Sequence, residues 1–101
     1  MPDDLAQKLA NIDTSGKNRF GDDWTTAMEA IRKAAPQGIN PVEMAQIAAQ
    51  GDPAGLLMNL GRHALMDQAS NGDAEAERAY AKIRQKERRA HAEFKGRVWQ
   101  E

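Results

Sequence analysis

The sequence predicts an all-α fold, a small helical domain of four main helices that ends in a long basic amphipathic helix. Three observations predict it. Ala, Gln, Glu, Lys, Arg, Leu and Met dominate the 101 residues while β-branched and aromatic residues are sparse, a composition that favours helix throughout. No segment carries the alternating apolar and polar residues of a half-buried strand. Helix start and stop signals, Asn or Asp before Pro and Gly after an apolar run, divide the chain at regular points.

Residues 1–19 read as a short N-terminal segment that frays, because PDDLAQKLANI suits one brief helix and DTSGKNRF carries the turn formers of a loop. Residues 20–72 read as the compact core. Its first helix, GDDWTTAMEAIRKAA, takes Gly21 or Asp22 as N-cap, has acid in its first turn, and has Arg32 and Lys33 near its C-terminus to suit the helix dipole. Phe20, Trp24, Met28 and Ile31 fall on one stripe, and Pro36 and Gly38 end the helix. In NPVEMAQIAAQG, Asn40 caps, Pro41 suits the first helical position and Glu43 sits where a capping box needs it. Asp52 and Pro53 repeat that device before LLMNLGRHALM, whose apolar residues surround so much of the helix that it is the expected centre of the core. The predicted core is Trp24, Met28, Ile31, Met44, Ile47, Leu57, Leu60 and Leu65. SNGD makes a turn, Asp73 caps, and residues 73–101 form the last helix, running from Ala74 to about Trp99 with Gly96 weakening its end.

A chain of this length forms a single small domain, and one this small buries only about two-thirds of the surface its unfolded form exposes, so it gains from binding a partner. Cysteine is absent, which removes disulfides, thiolate metal sites and thiol nucleophiles and makes a reducing cytoplasm the expected location. The acidic, charge-broken start is neither a signal nor a transit peptide. No apolar run approaches the roughly 18 residues of a membrane span.

Charge is sharply divided. Residues 1–77 carry six Lys/Arg against twelve Asp/Glu, a net −6, whereas residues 78–101 carry eight against three, a net +5. Such asymmetry points to a binding tail. Arg78, Lys82, Arg84, Lys86, Arg88, Arg89, Lys95 and Arg97 are the candidate partner-binding cations. Ala76, Tyr80, Ile83, Ala90, Phe94 and, less regularly, Val98 and Trp99 trace an apolar seam interrupted by Glu87, with Tyr80, Ile83, Phe94 and Trp99 as candidate helix-interface residues. The seam spans about three heptads and is weak as an autonomous coiled coil.

Catalytic chemistry is not spelled out. His63 and His91 have no spacing that suggests metal ligation, and each reads as a satisfied or solvent-facing histidine. Asp22 and Asp23 point in different directions on a helix and are explained by capping and the dipole. GDPAG and LMNLGRHAL match no phosphate loop and no nucleophile elbow. No enzyme, cofactor or metal site is expected. Three partners suit a basic amphipathic helix: an acidic protein surface, nucleic acid, or an anionic membrane. Protein docking ranks first, because nucleic-acid binders are usually basic over the whole domain whereas this chain has a pI near 6.1. A membrane ranks last, since the apolar face is narrow and alanine-rich.

The stretches FGDDWTTAMEAI and AQGDPAGLLMNLGRHALMDQA resemble helical parts of the capsid scaffolding and head-assembly proteins of tailed bacteriophages and prophages. Phe20, Gly21, Asp22 and Trp24 match a phrase that opens a helix there; Gly51, Asp52, Pro53, Leu56, Leu57, Leu60 and Gly61 match a later one that precedes a charged helix. The resemblance covers roughly residues 20–90, although scaffolding chains are usually longer. It implies no catalysis. It implies that the chain binds coat subunits, with Arg84, Lys86, Arg88 and Arg89 as leading contacts, guides their closure, works as a dimer or higher oligomer and then leaves. A small nucleic-acid-associated regulator using the same helix is the alternative.

Overall fold

The computed structural model describes the backbone of residues 2–100 and the side chains of residues 4–92. It holds five helices, α1 (Pro2–Phe20), α2 (Asp22–Ala34), α3 (Pro41–Ala48), α4 (Pro53–Ser70) and α5 (Ala74–Gln100), and no strand among the described residues. The all-α expectation stands, but the count of four main helices does not.

The difference is α1, which runs unbroken through the DTSGKNRF stretch expected to be a loop. Tertiary packing overrides the turn formers there. Ile12 and Gly16 are buried, and the Trp24 indole of α2 lies so close over Gly16 that a Cβ at that position would overlap it. Asp13 accepts a 2.8 Å hydrogen bond from Trp24 Nε1 and pairs with Lys17 at 3.2 Å. Two polar residues of the supposed loop are thus consumed by the helix and its neighbour. Gly21, at φ 60°, makes the tight turn into α2 and caps it without a side-chain bond, a backbone angle that suits glycine.

Local signals hold well elsewhere. Asn40 Oδ1 accepts from the Val42 amide at the start of α3, and Asp52 Oδ1 accepts from the Gly55 amide at the start of α4, each with Pro at the first turn. Asp73 Oδ1 likewise accepts from the amides of Glu75 and Ala76 ahead of α5. Asp52 also receives Arg19 at 2.7 Å, tying the end of α1 to the start of α4.

Helix α4 lies at the centre and packs against each of the other four. Trp24, Met58 and Ile83 are the largest fully buried side chains, one each from α2, α4 and α5. Between α2 and α4 the approach is close because Ala27 sits against Gly61, where a Cβ would strike the Ala27 backbone and side chain. Leu60 is the one predicted core residue the structure places outside, 39 % exposed, where it lines an open groove shared with α2 and α3. Met28, Ile31 and Met44 are half-buried at the core edge, while Ile12, Ala27, Ala30, Ala54, Met58, Ala76 and Ile83 join it. Alanines and glycine replace large side chains on the closest face, so volume hydrophobicity alone does not find it.

Candidate functional site

Helix α5 is held down by its first half. Ala76 and Ile83 are buried against the core and Tyr80 is half-buried, its hydroxyl donating to Met66 Sδ at 3.7 Å. Glu87, the residue that breaks the apolar seam, is explained by α4: Arg62 Nε donates to Glu87 Oε1 at 2.8 Å and Arg62 Nη1 to Asn59 at 3.3 Å. A seam position facing a cation on the neighbouring helix takes a carboxylate. From Arg88 to Ala92 every side chain is exposed, Ala90 of the expected seam included.

The cations expected to bind a partner divide between two flanks. At 3.6 residues per turn, Tyr80, Arg84, Arg88 and His91 follow the flank beside α4, and Arg78, Lys82 and Arg89 the flank across the helix. On the first flank, Arg62, Tyr80, Arg84, Glu87, Arg88 and His91 line an open groove of about 460 Å3. The Arg84 guanidinium lies over the Tyr80 ring, 5.8 Å from its centroid, which fixes that charge by a cation–π contact and leaves its donors outward. Lys86 is different from the rest: its ammonium is 3.5 Å from Asp23 Oδ2, a carboxylate only 16 % exposed on α2. Arg78, Lys82, Arg84, Arg88 and Arg89 are exposed and have no carboxylate within 4.0 Å among the described residues. Phe94, Lys95, Arg97 and Trp99 lie outside the described side chains.

Ile83, expected at a helix interface, is a core residue only 2 % exposed, and Tyr80 combines packing with the cationic groove. Arg62 and His91 belong to that groove but were not among the candidates. Glu87 in the seam was the signal for Arg62, since a lone carboxylate at a packing position asks for a cation on the facing helix.

Among the described residues two carboxylates are electrostatically tuned, both away from α5. The Trp24 indole N–H, then the Lys17 ammonium, hold Asp13 below the usual carboxylate range; the Arg19 guanidinium, then the Gly55 amide, do the same for Asp52. Both serve the joints of α1. No group of three or more His, Asp or Glu among the described residues is arranged to hold a metal ion, and no helix among them is long and apolar enough to cross a membrane.

Fold and surface together define a small five-helix domain carrying a two-flanked cationic helix. No protein-family model matches the chain, no curated protein matches its sequence and no solved structure matches its fold.

Proposed function

We propose that the protein is a non-enzymatic assembly or adaptor factor of the capsid-scaffolding type, acting in the host cytoplasm, whose helix α5 docks on an acidic coat-protein surface. The observation that carries this reading is the exposure of Arg84, Arg88 and Arg89, none with a carboxylate within 4.0 Å among the described residues, on a helix whose first half is anchored in the core. An anchored helix presents its charges in a fixed array, which steers encounter with a complementary surface and sets its register. Exposed ion pairs contribute only about 0–1 kcal/mol each and are screened by salt, so the grip is reversible, as a factor that must leave a finished shell requires. Lys86 plays a smaller part than its neighbours because Asp23 already occupies it.

The test is co-expression with a candidate coat protein. Removing the whole helix would also remove Ile83 from the core, so the decisive variant is the charge reversal Arg84→Glu/Arg88→Glu/Arg89→Glu. Particles of altered size or reduced yield support the proposal; unchanged particles refute it. A duplex-DNA gel shift at low salt that disappears steeply as salt rises would instead favour nucleic-acid docking by the same cations.

A further inference from the structure

A helix surface that is to receive negative charge must keep its own carboxylates away from its cations, and on α5 one carboxylate is badly placed for that. Glu87 lies three residues after Arg84 and four before His91, the spacings at which side chains meet on a helix surface, and it lines the same groove as Arg84, Arg88 and His91. A second open groove shares Tyr80, Arg84 and Arg88 and adds only Ala81 and Gln85, so Glu87 is the one carboxylate lining either groove among the described residues. Left alone it would pair along α5 and spend the charge that the flank displays. Instead its Oε1 accepts from Arg62 Nε of α4 at 2.8 Å, and neither Arg84 nor His91 has a carboxylate within 4.0 Å among the described residues. Arg62 is itself held in place, Nη1 donating to Asn59 Oδ1 at 3.3 Å. Its side chain is 26 % exposed, less open to screening by salt than the arginines of α5.

We infer that Arg62 is a positioning residue for docking: by drawing Glu87 toward α4 it leaves Arg84 and Arg88 free to receive the carboxylates of an acidic protein segment lying in this groove. The seat is therefore built by two helices and exists only in the folded domain. Its apolar part is Tyr80, whose hydroxyl meets Sδ of Met66, a side chain 39 % exposed. Arg84 and Arg88 stand one turn apart, about 6 Å along the axis, which matches carboxylates four residues apart on a partner helix. The net −6 of residues 1–77 repels a long polyanion such as nucleic acid more than it repels a short acidic segment. The inference rests on the coat-docking reading and narrows it to one flank. Arg78, Lys82 and Arg89, across the helix, add long-range attraction and form no part of the seat.

Fluorescence anisotropy of a fluorescein-labelled helical peptide of Glu, Ala and Leu, its glutamates four residues apart, reads binding to the full chain at low salt, with circular dichroism checking that each variant is folded. Arg84→Glu/Arg88→Glu is expected to weaken binding about tenfold or more, and Arg78→Glu/Lys82→Glu, an equal change of charge, about twofold or less. Arg62→Gln is expected to weaken it about two- to fivefold. In that protein Arg84→Gln costs nothing further, because Glu87 already holds Arg84; adding Glu87→Gln restores both binding and the full cost of Arg84→Gln. Equal losses from the two reversals, or a cost of Arg84→Gln that is the same in every background, overturns the inference. So does a loss from Glu87→Gln alone as large as that from Arg62→Gln, which would reduce the pair to a matter of helix register. Failure of the peptide to bind, or tighter binding of duplex DNA at the same salt, also overturns it. Peptide results as expected, with coat assembly indifferent to the reversal at Arg84, Arg88 and Arg89, uphold the seat and remove only the coat as its occupant. Coat assembly lost to that reversal while the peptide results fail removes the role of Arg62 and leaves coat docking standing.

Discussion

Gly16 is a helical glycine in a segment full of turn formers, and only its neighbour explains it. Alanine in a helix interior is ordinarily better than glycine by about 0.5–1 kcal/mol. At residue 16 the added methyl would overlap the ring of Trp24, which is 1 % exposed and hydrogen-bonded to Asp13, so it has nowhere to move. Overpacking of that kind costs about 1–3 kcal/mol and decides the sign. Gly16→Ala is therefore expected to lower the urea midpoint; a raised midpoint would mean that α1 and α2 are not in contact there. Asp13 makes a second residue-level prediction. Its pKa is lowered on folding, so its contribution to stability is complete above the unfolded value of about 3.9 and is lost as pH falls below it. Asp13→Asn is expected to flatten the decline in melting temperature below about pH 4, the change being modest because the carboxylate is half exposed.

Among the helices, α1 and α5 were the two whose roles depended on partners. DTSGKNRF has the residues of a loop, and no local rule reveals that Asp13 will bond an indole and Gly16 will fit beneath it. In α5 the apolar seam and Asp73 cap were legible, as was the clustering of cations. What stayed hidden was that Glu87 meets Arg62, that Lys86 meets Asp23, and that the cations fall on two flanks. The Arg62–Glu87 pair is partly exposed, so a double-mutant cycle with Arg62→Ala and Glu87→Ala should return a coupling of about 0.2–1 kcal/mol that shrinks in high salt. Its greater consequence is register: the pair fixes which turn of α5 lies beside which turn of α4. A coupling near zero at low salt would remove that role.

At the scale of the whole molecule, the radius of gyration of 15.3 Å exceeds the ~13 Å of a compact domain of about 100 residues. Part of the chain extends beyond the bundle around α4. Among the described residues the last core side chain on α5 is Ile83, whose complete burial resembles that of side chains whose truncation to alanine costs about 2–5 kcal/mol. Truncation after Gly72 is accordingly expected to give an unfolded or aggregating chain, and truncation after Ala92 a folded one, as read by circular dichroism and size-exclusion chromatography. A folded domain ending at Gly72 would show that α5 is an appendage and not part of the core.

The amino-acid sequence by itself determined the helical class, the starts of α3, α4 and α5, the stripe through Trp24 and the concentration of positive charge at one end. Those features are legible because they arise from residues within one or two turns of each other, through capping bonds, proline geometry and helical period. Tertiary structure alone decided that α1 is continuous, that Ala27 and Gly61 rather than Leu60 form the closest packing, and which cations are already engaged. Each of these depends on a contact between residues distant along the chain, and such contacts exist only once the helices have taken their places around α4.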